Sequence, residues 1–353
     1  MNTVDLIIPI CNYNNAVYNG FVDTLNFVLT EFIGKQKDID INLILVEQLI
    51  TPNRPLYTMA LKIPQNVKCT KIVVNHEKFD KAWLYNIGVR NSVSDHIVFC
   101  DADVYINDEN YLKDFIEWVI KENNPWAFGF DLLHRTSAEE YKYIQQNKTA
   151  VKSDNSLLVT PFLGANEGGL FYMCRSFYLG MGMANEWILG TEFAVNELVY
   201  RANYITNTYP QYISHTLIHL WHPVSILKQE PSAQINRELY EFSKKNTELV
   251  NSYFIGCGFG NKEGPVFTNR EYTIYSNDPK LHSETKRARR RLMPSQSTVN
   301  ISQRSSFGKR INVRAVQKYN NAVEKRVTRE NLESQRREKI NQQRIILRQR
   351  REK

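Results

Sequence analysis

The sequence predicts an α/β domain, a mixed and mostly parallel sheet flanked by helices, followed by a basic C-terminal tail. Three observations carry that prediction. Short β-rich apolar runs alternate with longer amphipathic stretches through the first part of the chain, the pattern produced when helices cover a largely parallel sheet. The 353 residues, 42% of them hydrophobic, provide apolar surface for a substantial core. The composition then breaks at Thr285. From there to Lys353 the chain has 21 Lys or Arg against 5 Asp or Glu, a net +16, whereas 24 basic and 32 acidic residues before it give −8. The overall +8 thus conceals two physically different segments.

Taken in order, Val4 to Ile10, Ile41 to Glu47, Thr70 to Val74 and His96 to Cys100 read as strands. Between them Val22 to Ile33 and Lys81 to Ser92 show helical spacing, with Phe21, Leu25, Val28, Leu29 and Phe32 on one face of the first. A second region from about Pro125 to Pro223 is punctuated by Gly164, Gly168, Gly169, Gly180 and Gly182. It contains the strand-like Leu170 to Cys174 and a helix that Thr191 can cap. The expected division is 1–280 for the domain, with halves at 1–124 and 125–280, and 285–353 for the tail. The tail has too few large apolar residues to fold alone, although its helix-forming content after about Val313 predicts a partly helical or disordered segment.

Several classes are disfavoured. Cys11, Cys69, Cys100, Cys174 and Cys257 are scattered, without CxxC or Cys/His metal spacing, so they read as reduced thiols of a cytoplasmic protein. The start lacks the basic and apolar regions of a signal peptide. No window approaches about 18 consecutive apolar residues, so no transmembrane segment is expected.

In open parallel sheets ligands bind outside the carboxyl ends of the strands, so the residues just after each strand are the candidates. They are Cys11-Asn12-Tyr13-Asn14, Glu47-Gln48, Asn75-His76 and Asp101-Ala102-Asp103. Asp101 and Asp103 leave the apolar His96–Cys100 run together. Two carboxylates at that spacing suit one hard cation, Mn²⁺ or Mg²⁺, which can bridge a diphosphate and neutralise a leaving group. By itself the tripeptide is also compatible with a solvated acidic turn.

Its surroundings narrow the reading. Phe79-Asp80-Lys81-Ala82 with Asn86-Ile87-Gly88, then Asp95 to Asp103, resembles the donor-site signature of GT-A-fold glycosyltransferases, a Rossmann-like class. The likeness is greatest to the branch containing β-1,4-galactosyltransferases and family 2 chondroitin-type polymerases, and it runs from about Val4 to Pro231. Leu6-Ile7-Ile8-Pro9-Ile10 and Val46-Glu47-Gln48 look like that group too. The resemblance implies a donor nucleotide site made of Pro9, Cys11, Asn12, Glu47, Phe79, Lys81, Asn86, Asp101, Ala102 and Asp103. Lys81 reads equally as a solvated helix residue.

Gly168-Gly169-Leu170-Phe171, Asn185-Glu186-Trp187 and Gly190-Thr191-Glu192 resemble the family's acceptor-side block. Gly168, Gly169 and Trp187 are then acceptor or sugar contacts. Glu192 is the candidate base, or else an ordinary helix-capping residue. The pattern departs here: relatives carry adjacent acids, and Phe193 stands in the second place, so either the register shifts by one residue or the base is absent. His219-Leu220-Trp221-His222 resembles the family's late metal-binding histidine. On an unbroken strand the two imidazoles face opposite ways, which favours His222 over His219 as the partner of Asp101 and Asp103. Trp83, Trp126 and Trp221 are either sugar platforms or core.

The implied activity is transfer of a sugar from a nucleoside diphosphate donor, a UDP-sugar above others, to a hydroxyl acceptor on a glycan, a protein or a modified nucleic-acid base. The competing expectation is a non-catalytic nucleic-acid-binding or structural protein that retains the fold. Lys286-Arg287-Ala288-Arg289-Arg290-Arg291 and the arginines after it suit phosphate, so nucleic acid is the partner the tail suggests; an anionic lipid surface and a merely solvated appendage are the alternatives.

Overall fold

The computed structural model describes residues 2–12, 15–50, 60–76, 79–147, 157–158, 169–191, 193–208, 211–222, 232–255 and 259–260. The chain divides into two units, Met1–Leu292 and Met293–Lys353, and all described residues belong to the first. The basic tail lies outside them.

Strand β1 (Thr3–Asn12) is followed by helix α1 (Asn15–Phe27), which continues through a wide turn at Val28–Phe32 and a tight one at Ile33–Lys35. Val22, Leu25, Val28, Leu29 and Phe32 are buried along this run, as their spacing requires. Strands β2 (Asp40–Leu49) and β3 (Lys68–Asn75) come next, then helix α2 (Lys81–Arg90) and strand β4 (His96–Cys100). Asp80 starts α2 by accepting a bond from the Trp83 amide at 2.9 Å. Every residue from Lys81 to Val89 is buried, so the helix is enclosed on all sides. Gly88 permits that: a Cβ there would stand 2.5 Å from Ile7 Cγ2, so the helix lies directly on β1.

After β5 (Val104–Tyr105), helix α3 (Tyr111–Lys121) buries Tyr111, Leu112, Phe115, Ile116 and Val119 on one stripe. Strands β6 (Trp126–Phe128) and β7 (Leu132–Arg135), helix α4 (Ala138–Asn147) and the short β8 (Leu157–Leu158) lead to β9 (Leu170–Cys174). The described chain then holds α5 (Arg175–Gly180), α6 (Ala194–Thr206), β10 (Thr216–His219), α7 (Ser232–Lys245) and α8 (Thr247–Phe254).

The main sheet has the order β3-β2-β1-β4-β9-β6. Strands β3, β2, β1 and β4 run parallel, while β9 is antiparallel to both β4 and β6. A second sheet, β5-β10-β7-β8, pairs β10 parallel to β7 and antiparallel to β5. The predicted α/β architecture is therefore present, with four parallel strands of six in the main sheet. Because β6 and β9 come from the second region of the sequence, that region completes the sheet begun by the first.

One helix start differs from expectation. The helix after Thr191 begins at Ala194, with Phe193 in the cap position, left-handed at φ 66° and making no side-chain cap. Thr191 lies too far upstream to cap it.

Candidate active site

The carboxyl ends of β1, β2 and β3 are in register, Asn12 opposite Leu49 and Leu49 opposite Asn75, and β4 ends at Cys100 in the same sheet. Asp101 emerges there and is fixed immediately. Its amide donates to the Gly169 carbonyl at 2.7 Å, and its Oδ2 accepts the Gly169 amide at 3.1 Å. Gly169 has φ +81°, and a Cβ on it would meet Leu217 Cδ2 at 2.5 Å, so this clamp needs glycine. The other oxygen, Oδ1, lies 2.6 Å from Lys81 Nζ and accepts the Tyr85 hydroxyl at 3.3 Å. Burial first, and then the Asp101 charge, push the Tyr85 phenol well above its ordinary value, so it remains a neutral donor.

Asp103 faces different partners. Its Oδ2 stands 3.1 Å from His222 Nε2 and 3.7 Å from His219 Nε2. These three residues offer ligand atoms all within 4.8 Å of one another. Burial works against the Asp103 charge, but His219, the hydrogen bond and charge of His222, and Lys81 outweigh it and hold the carboxyl at about 2. Both histidines stand beside one carboxylate, their rings 5.3 Å apart, so the opposite-face expectation for a continuous strand does not hold here. Past the end of β10 the Leu220 amide bonds the Asp103 carbonyl at 2.8 Å and the Trp221 amide bonds Thr136 Oγ1 at 2.8 Å. One carboxylate and two imidazoles fit a divalent cation such as Mn²⁺. Asp101 is not in this group; its oxygens are engaged by Lys81, Tyr85 and Gly169.

The other candidates fall into three sets. Lys81 is buried beside Asp101, 5.6 Å above the Tyr85 ring, and so is not a solvated helix residue. Ala102 is buried between the two aspartates, and Phe79 is bonded through its carbonyl to the Gly190 amide at 2.7 Å. Gly190 in turn accepts the Lys81 amide at 3.2 Å, which brings the segment just before Thr191 alongside the start of α2. Asn86 belongs to a buried network instead. Its Oδ1 accepts the Tyr178 hydroxyl at 2.6 Å and the Ala184 amide at 3.0 Å, while its Nδ2 donates to the Ala184 carbonyl and to Glu186 Oε1, each at 2.9 Å. Pro9 and Glu47 are buried in β1 and β2, and Cys11 is partly exposed opposite Gln48. Asn12 ends β1, paired with Leu49. Trp187 packs edge-on against Phe254 with ring centres 5.4 Å apart. Of the remaining tryptophans, Trp83 and Trp126 are core, and Trp221 is 42% exposed. Glu192 and Gly168 lie outside the described residues.

Sequence reasoning left out Tyr85 and Thr136, both of which shape the site. Tyr85 lies one helical turn after Lys81, so an aromatic on that face was a readable signal; Thr136 follows an unremarkable strand and gave none.

Residues 6–161 match the family described as glycosyl transferase family 2, a span that holds β1 to β4, α2 and both aspartates of the site. That match and the sheet described above support a glycosyltransferase domain of the GT-A fold. Solved structures similar to this chain include Staphylococcus aureus TarS 1–349 in complex with UDP-GlcNAc, at 9% identity and a TM-score of 0.49, covering 82% of this chain and 79% of that one. Another is the catalytic domain of Drosophila β1,4-galactosyltransferase 7 in complex with xylobiose, at 14% identity and a TM-score of 0.39, covering 67% of this chain and 80% of that one. No curated protein matches the chain. Among the described residues no helix is long and apolar enough to cross a membrane.

Proposed function

We propose that the chain transfers a sugar from a nucleoside diphosphate donor, a UDP-sugar first among candidates, to a hydroxyl acceptor, and that it does so with a divalent cation. The convergence of Asp103, His219 and His222 just beyond β4, with only Ala102 between Asp103 and the Lys81-paired Asp101, is the observation that carries this reading. The three ligands would hold Mn²⁺ or Mg²⁺, which when bound supplies positive charge to the departing diphosphate. Asp101 takes the other part: it holds the Lys81 ammonium near the same site, where its charge would add to the stabilisation of phosphate charge. Tyr85, held neutral, keeps Asp101 in place.

Glu192 is the proposed base that accepts the proton of the acceptor hydroxyl. The pairing of Gly190 with Phe79 and Lys81 supports that role, since it sets Gly190, two positions before Glu192 in the sequence, beside the start of α2. Phe193, in the family's second-acid place, stacks on Tyr240 at 5.6 Å, which favours the first acid as the working one.

The test is nucleotide release from a panel of UDP- and GDP-sugars with Mn²⁺, with the metal removed by chelation as a control. Turnover of a UDP-sugar that is lost in Asp103→Asn is expected. Wild-type rates retained both in the chelated protein and in Asp103→Asn would overturn the metal-dependent reading.

The net +16 of residues 285–353 supports a second element, a nucleic-acid partner held through the tail. In that case the acceptor belongs to, or is bound near, a polyanion.

A further inference from the structure

We infer that Thr136 is a positioning residue for the cation site, anchoring the backbone that carries His219 and His222 beside Asp103; the inference rests on the metal-binding reading above. Thr136 follows β7, whose Arg135 lies opposite His219 in the parallel pairing with β10. Its amide donates to the His219 carbonyl at 3.0 Å, and its hydroxyl donates to the same carbonyl at 3.3 Å. The hydroxyl oxygen also accepts the Trp221 amide at 2.8 Å. A hydroxyl has one proton and two lone pairs, so both of its bonds form at once. Between these anchors the Leu220 amide is bonded to the Asp103 carbonyl. Three consecutive backbone groups, His219 C=O, Leu220 N–H and Trp221 N–H, are therefore tied down on the approach to His222.

Packing does little of this work. Thr136 is buried, but Trp221 is 42% exposed and the His222 side chain is equally so. A buried hydroxyl bonded to the backbone at His219 and at Trp221 fixes the chain on the approach to His222. Without it those two backbone groups lose a partner and the His222 ring is held less firmly beside His219 and Asp103. Thr136 touches no ligand atom. It acts through the backbone, as an outer group orienting a metal ligand.

The experiment measures Mn²⁺ binding to the full chain by titration, together with the imidazole nitrogen coupling of the bound ion in pulsed electron paramagnetic resonance. Thr136→Val keeps the branched shape and removes the hydroxyl; it should weaken Mn²⁺ binding about tenfold, the usual scale for an outer-shell orienting group, and reduce the nitrogen coupling. Thr136→Ser keeps the hydroxyl and should stay within about twofold of wild type. In a His222→Ala background, Thr136→Val should cost little more, because the two changes remove the same contribution. If Thr136→Val does not fold, Thr136→Ala carries the same expectations. Wild-type affinity in the hydroxyl-less variants, or a full and additive loss in the His222→Ala background, overturns the role of Thr136 while leaving the cation site standing. Absence of Mn²⁺ binding in the wild type overturns the site itself, and the inference with it.

Discussion

Removing the Arg201 guanidinium should destabilise the domain more than any single change in the crevice. Arg201 and Glu197 are both fully buried and one helical turn apart on α6, with Nε 2.8 Å from Oε1. The rest of the guanidinium donates to the Met181 carbonyl at 2.8 Å, the Met183 carbonyl at 2.5 Å and Asn251 Oδ1 at 3.3 Å, and it lies 5.1 Å over the Phe254 ring. Those carbonyls flank a turn in which Gly182 and Met183 both have positive φ, so no regular structure is available to satisfy them. Arg201→Met leaves Glu197 a buried charge whose second oxygen already has no hydrogen-bond partner. Breaking a buried pair from one side costs about 3–5 kcal/mol. For a domain of this size that corresponds to a fall of roughly 5–10 °C in thermal midpoint. Glu197→Leu with Arg201→Met removes the stranded charge and should recover about 2 kcal/mol, leaving mainly the cost of the freed carbonyls. Denaturant unfolding of the four proteins of this cycle supplies the numbers. A loss below about 1 kcal/mol in Arg201→Met, or a double variant as unstable as the sum of the singles, would refute the reasoning.

The remaining predictions concern the start of α2 and the tail. Burial, and then the neighbouring Glu186 charge, push the Asp80 carboxyl well above its ordinary value, against the opposing Trp83 and Ala82 amides. The folded state thus holds a proton that the unfolded chain releases near pH 4, and stability falls as pH rises through that interval. Asp80→Asn keeps the oxygen that caps Trp83 and should stabilise the protein at pH 7.5, on the order of 1 kcal/mol, with the gain vanishing at pH 3.5; unfolding curves at the two pH values check it. Gly88→Ala places a Cβ against Ile7 and should cost about 1–3 kcal/mol by the same measurement. Deleting residues 285–353 should abolish most nucleic-acid affinity and flatten its dependence on salt, read from titrations between low and physiological ionic strength; unchanged affinity would remove the tail from that role.

How much of this was readable beforehand depends on whether the cause was local. Buried parallel strands are written as continuous apolar runs, so Val4–Ile10 and Ile41–Glu47 stand inside β1 and β2, and His96–Cys100 coincides with β4. A strand end predicts where carboxylates emerge, and Asp101 and Asp103 emerge there. What each does was not legible, because their partners arrive from distant sequence: Gly169 and Lys81 on one aspartate, His219 and His222 on the other. The histidine pair shows why. Period-two reasoning sends them to opposite faces, yet both stand beside Asp103, and the groups that meet the chain there, Asp103 and Thr136, come from elsewhere in the sequence. Phe193 is similar. A phenylalanine gives no warning of left-handed backbone, and the Tyr240 ring that stacks on it lies 47 positions away in the sequence. Local pattern thus locates the acidic groups of such a site, while the division of labour between two aspartates separated by one residue is set by the partners that meet each, Lys81 of α2 at Asp101 and the two histidines of the second region at Asp103.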